Sequence, residues 1–195
     1  MVTTDSIKAL REKTGVSVMQ CKKALEEAGG DMEKATILLH KLSSAAAEKK
    51  AGRELGAGTV ANYTHTNGTV GAMVELLCET DFVAKNEEFK ALAYDIAMHI
   101  AATNPAYLSM DDVTEEERTK AQEAFKKEVE ESDKQEDIKE KMLEGKITNY
   151  LKEKVLLEQP FIKDPNVTIG GLVDGAVQKF GEKTQIGRFA RFSID

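Results

Sequence analysis

The dipeptide Asn67-Gly68 constrains this chain more than any other short feature. It lies in His65-Thr66-Asn67-Gly68, between two strand-like runs, Thr59 to Thr64 and Thr69 to Glu79. Asn-Gly is the preferred pair for a type I′ turn, because both central positions need positive φ, so an antiparallel β-hairpin is expected here. In the second run Val70, Ala72, Val74, Leu76 and Cys78 alternate onto one face, with Glu75 and Glu79 on the other. A wholly apolar face has to be covered, so further elements must pack on it.

Helical patterns supply that cover. After Thr80-Asp81-Phe82-Val83-Ala84-Lys85-Asn86, the residue Asn86 can cap a helix with Glu87 and Glu88 in its first turn, where acids suit the positive dipole end. Its apolar stripe is Phe89, Leu92, Ala93, Ile96, Ala97 and Ile100, and Asn104-Pro105 stops it. Thr114-Glu115-Glu116-Glu117 has the form of a capping box opening a charged helix over 115–131. A second charged helix is expected over about 136–158, so that a projecting antiparallel pair occupies about 112–158. Asp164-Pro165-Asn166 reads as a turn, residues 167–180 as a helix, and Gln185 to Phe192 as a last strand. Strands, then helices, then a strand indicate an α+β fold with a small antiparallel sheet.

The first fifty residues read as three short helices. Thr3 or Thr4 can cap the first, Ser17 with Gln20 the second, and Asp31 the third; Gly15 and Gly29-Gly30 close the intervening turns. Met19, Ala24, Leu25, Ala28, Met32, Ala35, Leu38, Leu39 and Leu42 are the expected apolar positions, with Met19 and Met32 read as core. The run Ser43 to Lys50 prolongs the third helix until Gly52, Gly56 and Gly58 break it. The boundary falls near 53–56, dividing a three-helix module, 1–53, from an α+β core, 54–195.

Charge and composition narrow the function. The 195 residues carry a net charge of −7, which argues against nucleic acid as a direct partner. Residues 1–53 sum to +3 and residues 111–144 to −7, so the head and the helical pair are electrostatically distinct. No apolar run approaches the ~20 residues that span a bilayer, and the start of the chain has no signal-peptide pattern, so a cytoplasmic protein off the membrane is expected. Cys21 and Cys78 are isolated thiols, and His40, His65 and His99 are scattered, so no metal-ligand spacing exists.

No catalytic constellation stands out either. His65 has no Ser or Cys nucleophile in a recognisable elbow beside it, and no phosphate-binding GxxxxGK[ST] loop occurs. The segment of interest is Thr80 to Asn86. Phe82 there either anchors the hairpin to the following helix or stands exposed as an aromatic contact for a partner. Local pattern leaves both open.

Two longer segments carry a resemblance. Leu10-Arg11-Glu12-Lys13-Thr14-Gly15-Val16-Ser17-Val18-Met19-Gln20-Cys21-Lys22-Lys23-Ala24-Leu25 resembles the N-terminal signature of the elongation factor Ts family, a ubiquitin-associated-like module. Glu75-Leu76-Leu77-Cys78-Glu79-Thr80-Asp81-Phe82-Val83-Ala84-Lys85-Asn86 resembles that family's core signature. Shorter similarities follow in family order at 97–102, 156–161 and 188–192. Two positions depart from the pattern: Gln20 stands where an acid is expected, and Leu77 where Asn or Val is usual.

The resemblance implies a non-enzymatic guanine-nucleotide exchange factor of translation elongation. It implies elongation factor Tu as partner and no cofactor of its own, the GDP and Mg²⁺ being held by that partner. Asp81-Phe82 would wedge into the partner's nucleotide domain, with Thr80, Val83, Ala84, Lys85 and Asn86 around them. Leu10, Arg11, Thr14, Gly15 and Met19 would grip the same domain, and His65 would reach another. The length resembles the compact members of the family, which implies a homodimer. Two other classes stay in view: a pure binding module gripping a ribosomal or nascent-chain partner through residues 1–53, and a small hydrolase built on Cys78 or His65.

Overall fold

The structure is a computed structural model and describes residues 2–132 and 134–194. It is the expected mixture of helices and a small antiparallel sheet. Three helices come first, α1 (Thr4–Thr14), α2 (Val18–Glu27) and α3 (Met32–Lys50). Each begins on a side-chain cap: Thr3 accepts from the Ser6 N–H, Ser17 from Gln20 and Asp31 from Glu33 and Lys34. The Ser17 hydroxyl itself donates to Gln20 Oε1 at 2.8 Å. Leu10, Val16, Cys21, Ala24, Leu25, Ala35 and Leu39 form the bundle's own core.

Two expected core positions in this module are exposed. Met19 is 79% exposed, because Cys21, Ala24 and Leu25 form the inward face of α2 and Met19 lies two residues, about 200°, from Cys21. Leu42 is also exposed, whereas Met32 packs against the bundle core as expected.

The hairpin follows, β1 (Ala57–Thr64) and β2 (Val70–Cys78), paired antiparallel from Ala57 opposite Cys78 to Thr64 opposite Gly71. Its connection differs from the expected type I′ turn. Gly68 alone takes positive φ (+72°), and the turn closes through Gly68 N–H donating to His65 O at 2.8 Å. The Asn67 side chain accepts from Thr69 N–H at 3.1 Å, so it closes an Asx turn instead of supplying a left-handed residue.

A one-turn helix, α4 (Asp81–Ala84), leads into α5 (Glu87–Thr103). The helical pair is α6 (Glu115–Glu130) and α7 (Glu136–Lys154). α7 stops earlier than expected because Val155 turns extended and bridges Tyr107, and Leu156 N–H donates to Tyr107 O at 2.8 Å. The proposed Asp164–Asn166 turn lies within β4 (Asp164–Thr168), which pairs with β3 (Pro160–Phe161). Asp164 still caps Asn166 there, at 3.1 Å. Helix α8 (Ile169–Phe180) therefore starts two residues late, on the Thr168 cap, and β5 (Thr184–Ser193) closes the chain.

The main sheet has the order β1-β2-β5, all antiparallel. One face is the core. Ala72, Val74, Leu76, Cys78 and Ile186 meet Phe89, Ala93, Ile96, Ala97 and Ile100 of α5 and Ile169 and Val173 of α8. The opposite face keeps Val60, Met73 and Phe192 exposed.

Candidate partner-binding site

The strand β2 delivers Thr80 to Asn86 at one end of the sheet. Thr80 is extended (φ −125°, ψ 155°), and its side chain accepts from Val83 N–H as the N-cap of α4. Ala84 N–H and Lys85 N–H complete the single turn onto Thr80 O (3.2 Å) and Asp81 O (3.0 Å). Asn86 begins the next helix by accepting from Glu88 N–H at 2.8 Å. The two caps, on Thr80 and Asn86, set where the short turn begins and where the next helix takes over.

This local geometry sorts the side chains. Val83 and Ala84 point into the core, and Phe82 points out, 83% exposed. An apolar ring so placed does nothing for this chain's own packing, so the reading in which it anchors hairpin to helix does not hold. Asp81 lies beside it on the exposed side and accepts from Lys85 Nζ at 2.6 Å. That hydrogen bond, and the lysine's charge, hold the Asp81 carboxyl below the ordinary carboxylate range. The site is therefore an apolar ring flanked by a fixed anion and a cation one turn apart.

Thr80 has a second partner outside the segment. Its N–H donates to Glu182 Oε2 at 3.0 Å and its hydroxyl to Glu182 Oε1 at 2.7 Å. Cys78 Sγ donates to Thr80 O at 3.2 Å, and burial pushes the Cys78 thiol pKa up, so this sulfur sits as a neutral packing group. The neighbouring Glu79 accepts from Lys183 N–H at 2.5 Å and from Arg53 at 3.0 Å, which lower its pKa in that order.

The other expected contact residues are dispersed. Leu10 is 0% exposed, so it acts on a partner only through the bundle it holds together; Val83 and Ala84 act only through the core in the same way. Thr14 is half-buried and donates to Leu10 O at 2.7 Å. Lys13, Thr14 and Val16 line a cleft of about 310 Å³ between the bundle and α8, where Gly15 approaches the Lys179 side chain. Arg11 and Met19 are exposed. His65 sits at the far tip of the hairpin, its Nδ1 3.1 Å from the Tyr63 hydroxyl. The length of β2 separates it from Phe82 by roughly 30 Å. Sequence reasoning missed Glu182. It lies about a hundred positions from Thr80 in a loop with no motif, and no local signal links the two.

Among the described residues no helix is long and apolar enough to cross a membrane, and no cluster of three or more His, Cys, Asp or Glu could hold a metal ion.

A family model described as elongation factor TS matches residues 32–195. The elongation factor Ts of Carboxydothermus hydrogenoformans is 47% identical over 194 residues, covering 100% of this chain and 89% of that protein. That of Alkaliphilus metalliredigens is 50% identical over 193 residues, covering 99% and 89%. That of Thermodesulfovibrio yellowstonii is 46% identical over 193 residues, covering 99% and 96%. Similarity therefore extends through the N-terminal helices and the Thr80–Asn86 segment alike, and this chain belongs to the elongation factor Ts family of translation elongation factors.

Proposed function

We propose that this chain binds elongation factor Tu and speeds the release of its GDP, without covalent chemistry and with no cofactor of its own. The observation that carries the proposal is Phe82, an exposed aromatic ring on a doubly capped turn, with ionised Asp81 beside it. Aromatic side chains held rigidly in the open are the usual anchors of protein interfaces.

The energetics fit an exchange factor. A nucleotide diphosphate in a phosphate loop is held through oxygens that also bind Mg²⁺. A wedge that disturbs the metal's supporting side chains weakens the metal and the phosphates together. Linkage then requires GDP to weaken the wedge's binding by the same factor, and each tenfold of coupling corresponds to about 1.4 kcal/mol. Burying an aromatic ring of about 150–250 Å² supplies part of that. The N-terminal bundle, through its exposed Arg11 and Met19, provides a second grip on the same partner, and the exposed His65 reaches elsewhere on it.

The same reading includes a homodimer. Val60, Met73 and Phe192 on the outer sheet face, with Ile194 just beyond it, give an apolar patch that two copies would bury about a two-fold axis.

The test is stopped-flow release of a fluorescent GDP analogue from elongation factor Tu, with and without this protein. Acceleration that saturates with concentration is expected. Release at the intrinsic rate, with the protein folded and the partner active, overturns the proposal and moves weight to the binding-module reading.

A further inference from the structure

The loop Gly181–Lys183 joins α8 to β5 and touches two parts of the molecule at once. Gly181 closes α8 in the left-handed conformation (φ +74°), and its carbonyl accepts from Lys50 Nζ at 2.8 Å. Lys183 Nζ donates to Ala51 O at 2.7 Å and Arg53 O at 3.0 Å, and the Lys183 N–H donates to Glu79. The loop is thereby pinned on the end of α3 on one side and on the end of the hairpin on the other. Between these two anchors, Glu182 directs both carboxylate oxygens at Thr80.

We propose that Glu182 is a positioning residue for the exposed Asp81-Phe82 turn. It would clamp Thr80 so that Phe82 is presented in one orientation. The proposal rests on the exchange reading above.

A helix of four residues gains almost nothing from its own hydrogen bonds, because fixing its first turn costs more than one or two bonds return. Its position has to come from outside. Val83 and Ala84 supply apolar burial, which is non-directional and does not by itself set a rotation. Thr80 is where the chain enters the turn. Its N–H and its hydroxyl proton are both taken by Glu182, which leaves the hydroxyl lone pairs facing Val83 N–H as the cap. The two donors go to separate oxygens of Glu182, and a glutamine in its place would turn an NH2 donor toward one of them. Bonds to an ionised acceptor are also shorter and stronger than neutral ones. Among the described residues Glu182 makes no ion pair, so Thr80 is the partner its charge is turned toward.

The test uses the full chain. Glu182→Gln is expected to melt within about 2 °C of the parent, because the contact lies at the surface. Its maximal stimulated GDP release is expected to fall roughly tenfold while the half-saturating concentration moves less than about twofold, the signature of a misplaced group as opposed to a lost grip. Amide hydrogen exchange of the free chain should quicken at Thr80, Asp81 and Phe82 and stay unchanged in β2 and α5. Thr80→Val removes the Val83 cap as well as the Glu182 bond, so it should lose at least as much as Glu182→Gln, and combining the two should lose no more than Thr80→Val alone. A Glu182→Gln protein with the parent's maximal rate, or with unchanged exchange at Thr80 to Phe82, overturns the proposal. A parent that fails to accelerate GDP release overturns the exchange reading instead, and the amide measurement then still decides whether the clamp exists.

Discussion

Phe82 and Val83 are adjacent in the chain and point in opposite directions: Phe82 is 83% exposed and Val83 is 6% exposed. One turn of helix, capped by Thr80, produces that opposition, and it separates the surface role of this segment from its structural one. Phe82→Ala removes a ring that is exposed and lies outside the core cluster. Its melting temperature should match the parent's within about 2 °C. GDP release stimulated by it should fall at least about thirtyfold, the loss typical of a central aromatic anchor. Circular dichroism melts and stopped-flow kinetics on the same preparation decide this. A protein that melts early would return Phe82 to the core.

Val83→Ala should do the reverse. Two buried methyl groups vanish from a site packed among the sheet, α4 and α5, which costs about 2 kcal/mol. In a chain of this size that is a drop of about 4–8 °C in melting temperature. Below its melting point the variant keeps Phe82 exposed and should retain most of the parent's saturating exchange rate. Equal losses of stability and rate at both positions would mean that the two residues are not separable in this way.

The main elements of this fold were legible because their signals are local. Asn86 followed by two acids and an apolar stripe gives α5, and alternation from Val70 to Cys78 gives a strand with one buried face. What failed to show depends on distant partners. Glu117 has the right spacing to return to Thr114 in a capping box, but its carboxylate instead accepts from Tyr150 Oη at 3.0 Å and from Lys154 across the helical pair. The end of α7 is set by Tyr107, nearly fifty residues earlier. Phe82 was undecidable locally because a capped turn can present its second residue either way, and what determines which is distant in sequence: the sheet against which Val83 packs and the Glu182 contact on Thr80. Glu182 was invisible for the same reason.

His99 gives the pH dependence of the core. It is fully buried on α5, with Nε2 2.9 Å from Gln159 Oε1 and, among the described residues, no hydrogen-bond partner on Nδ1. Burial pulls its pKa below the ordinary 6.5, and the Gln159 bond opposes this more weakly. A group whose pKa is lower folded than unfolded stabilises the fold above the unfolded value and loses that contribution as pH falls through the folded one. Stability should therefore be flat from pH 8 to about 6.5 and then decline, at no more than about 1.4 kcal/mol per pH unit for one proton. Urea melts at pH 7.5, 6.5 and 5.5 should show the decline in the parent and a shallower one in His99→Gln. Identical slopes would assign the acid sensitivity to other groups.

The outer sheet face carries exposed apolar side chains. Phe192 is 72% exposed on β5, in the row opposite Gly71, with Met73 two residues along the neighbouring strand and Ile194 just past the strand end. Apolar side chains clustered on the uncovered side of a three-stranded sheet favour association, and a face that meets its own copy about a two-fold axis buries each residue twice. Sedimentation velocity of the parent should give a species of twice the 21.4 kDa chain mass. Phe192→Glu places a charge at each of the two symmetry-related positions and should yield the single-chain mass with unchanged far-ultraviolet circular dichroism, because the side chain contributes nothing to the inner face. Its exchange activity should persist, since Phe82 lies beyond the opposite end of β2 from the Phe192–Gly71 pair. A parent that sediments as a single chain at tens of micromolar removes the homodimer from the functional reading and leaves the outer face as a surface for a different partner.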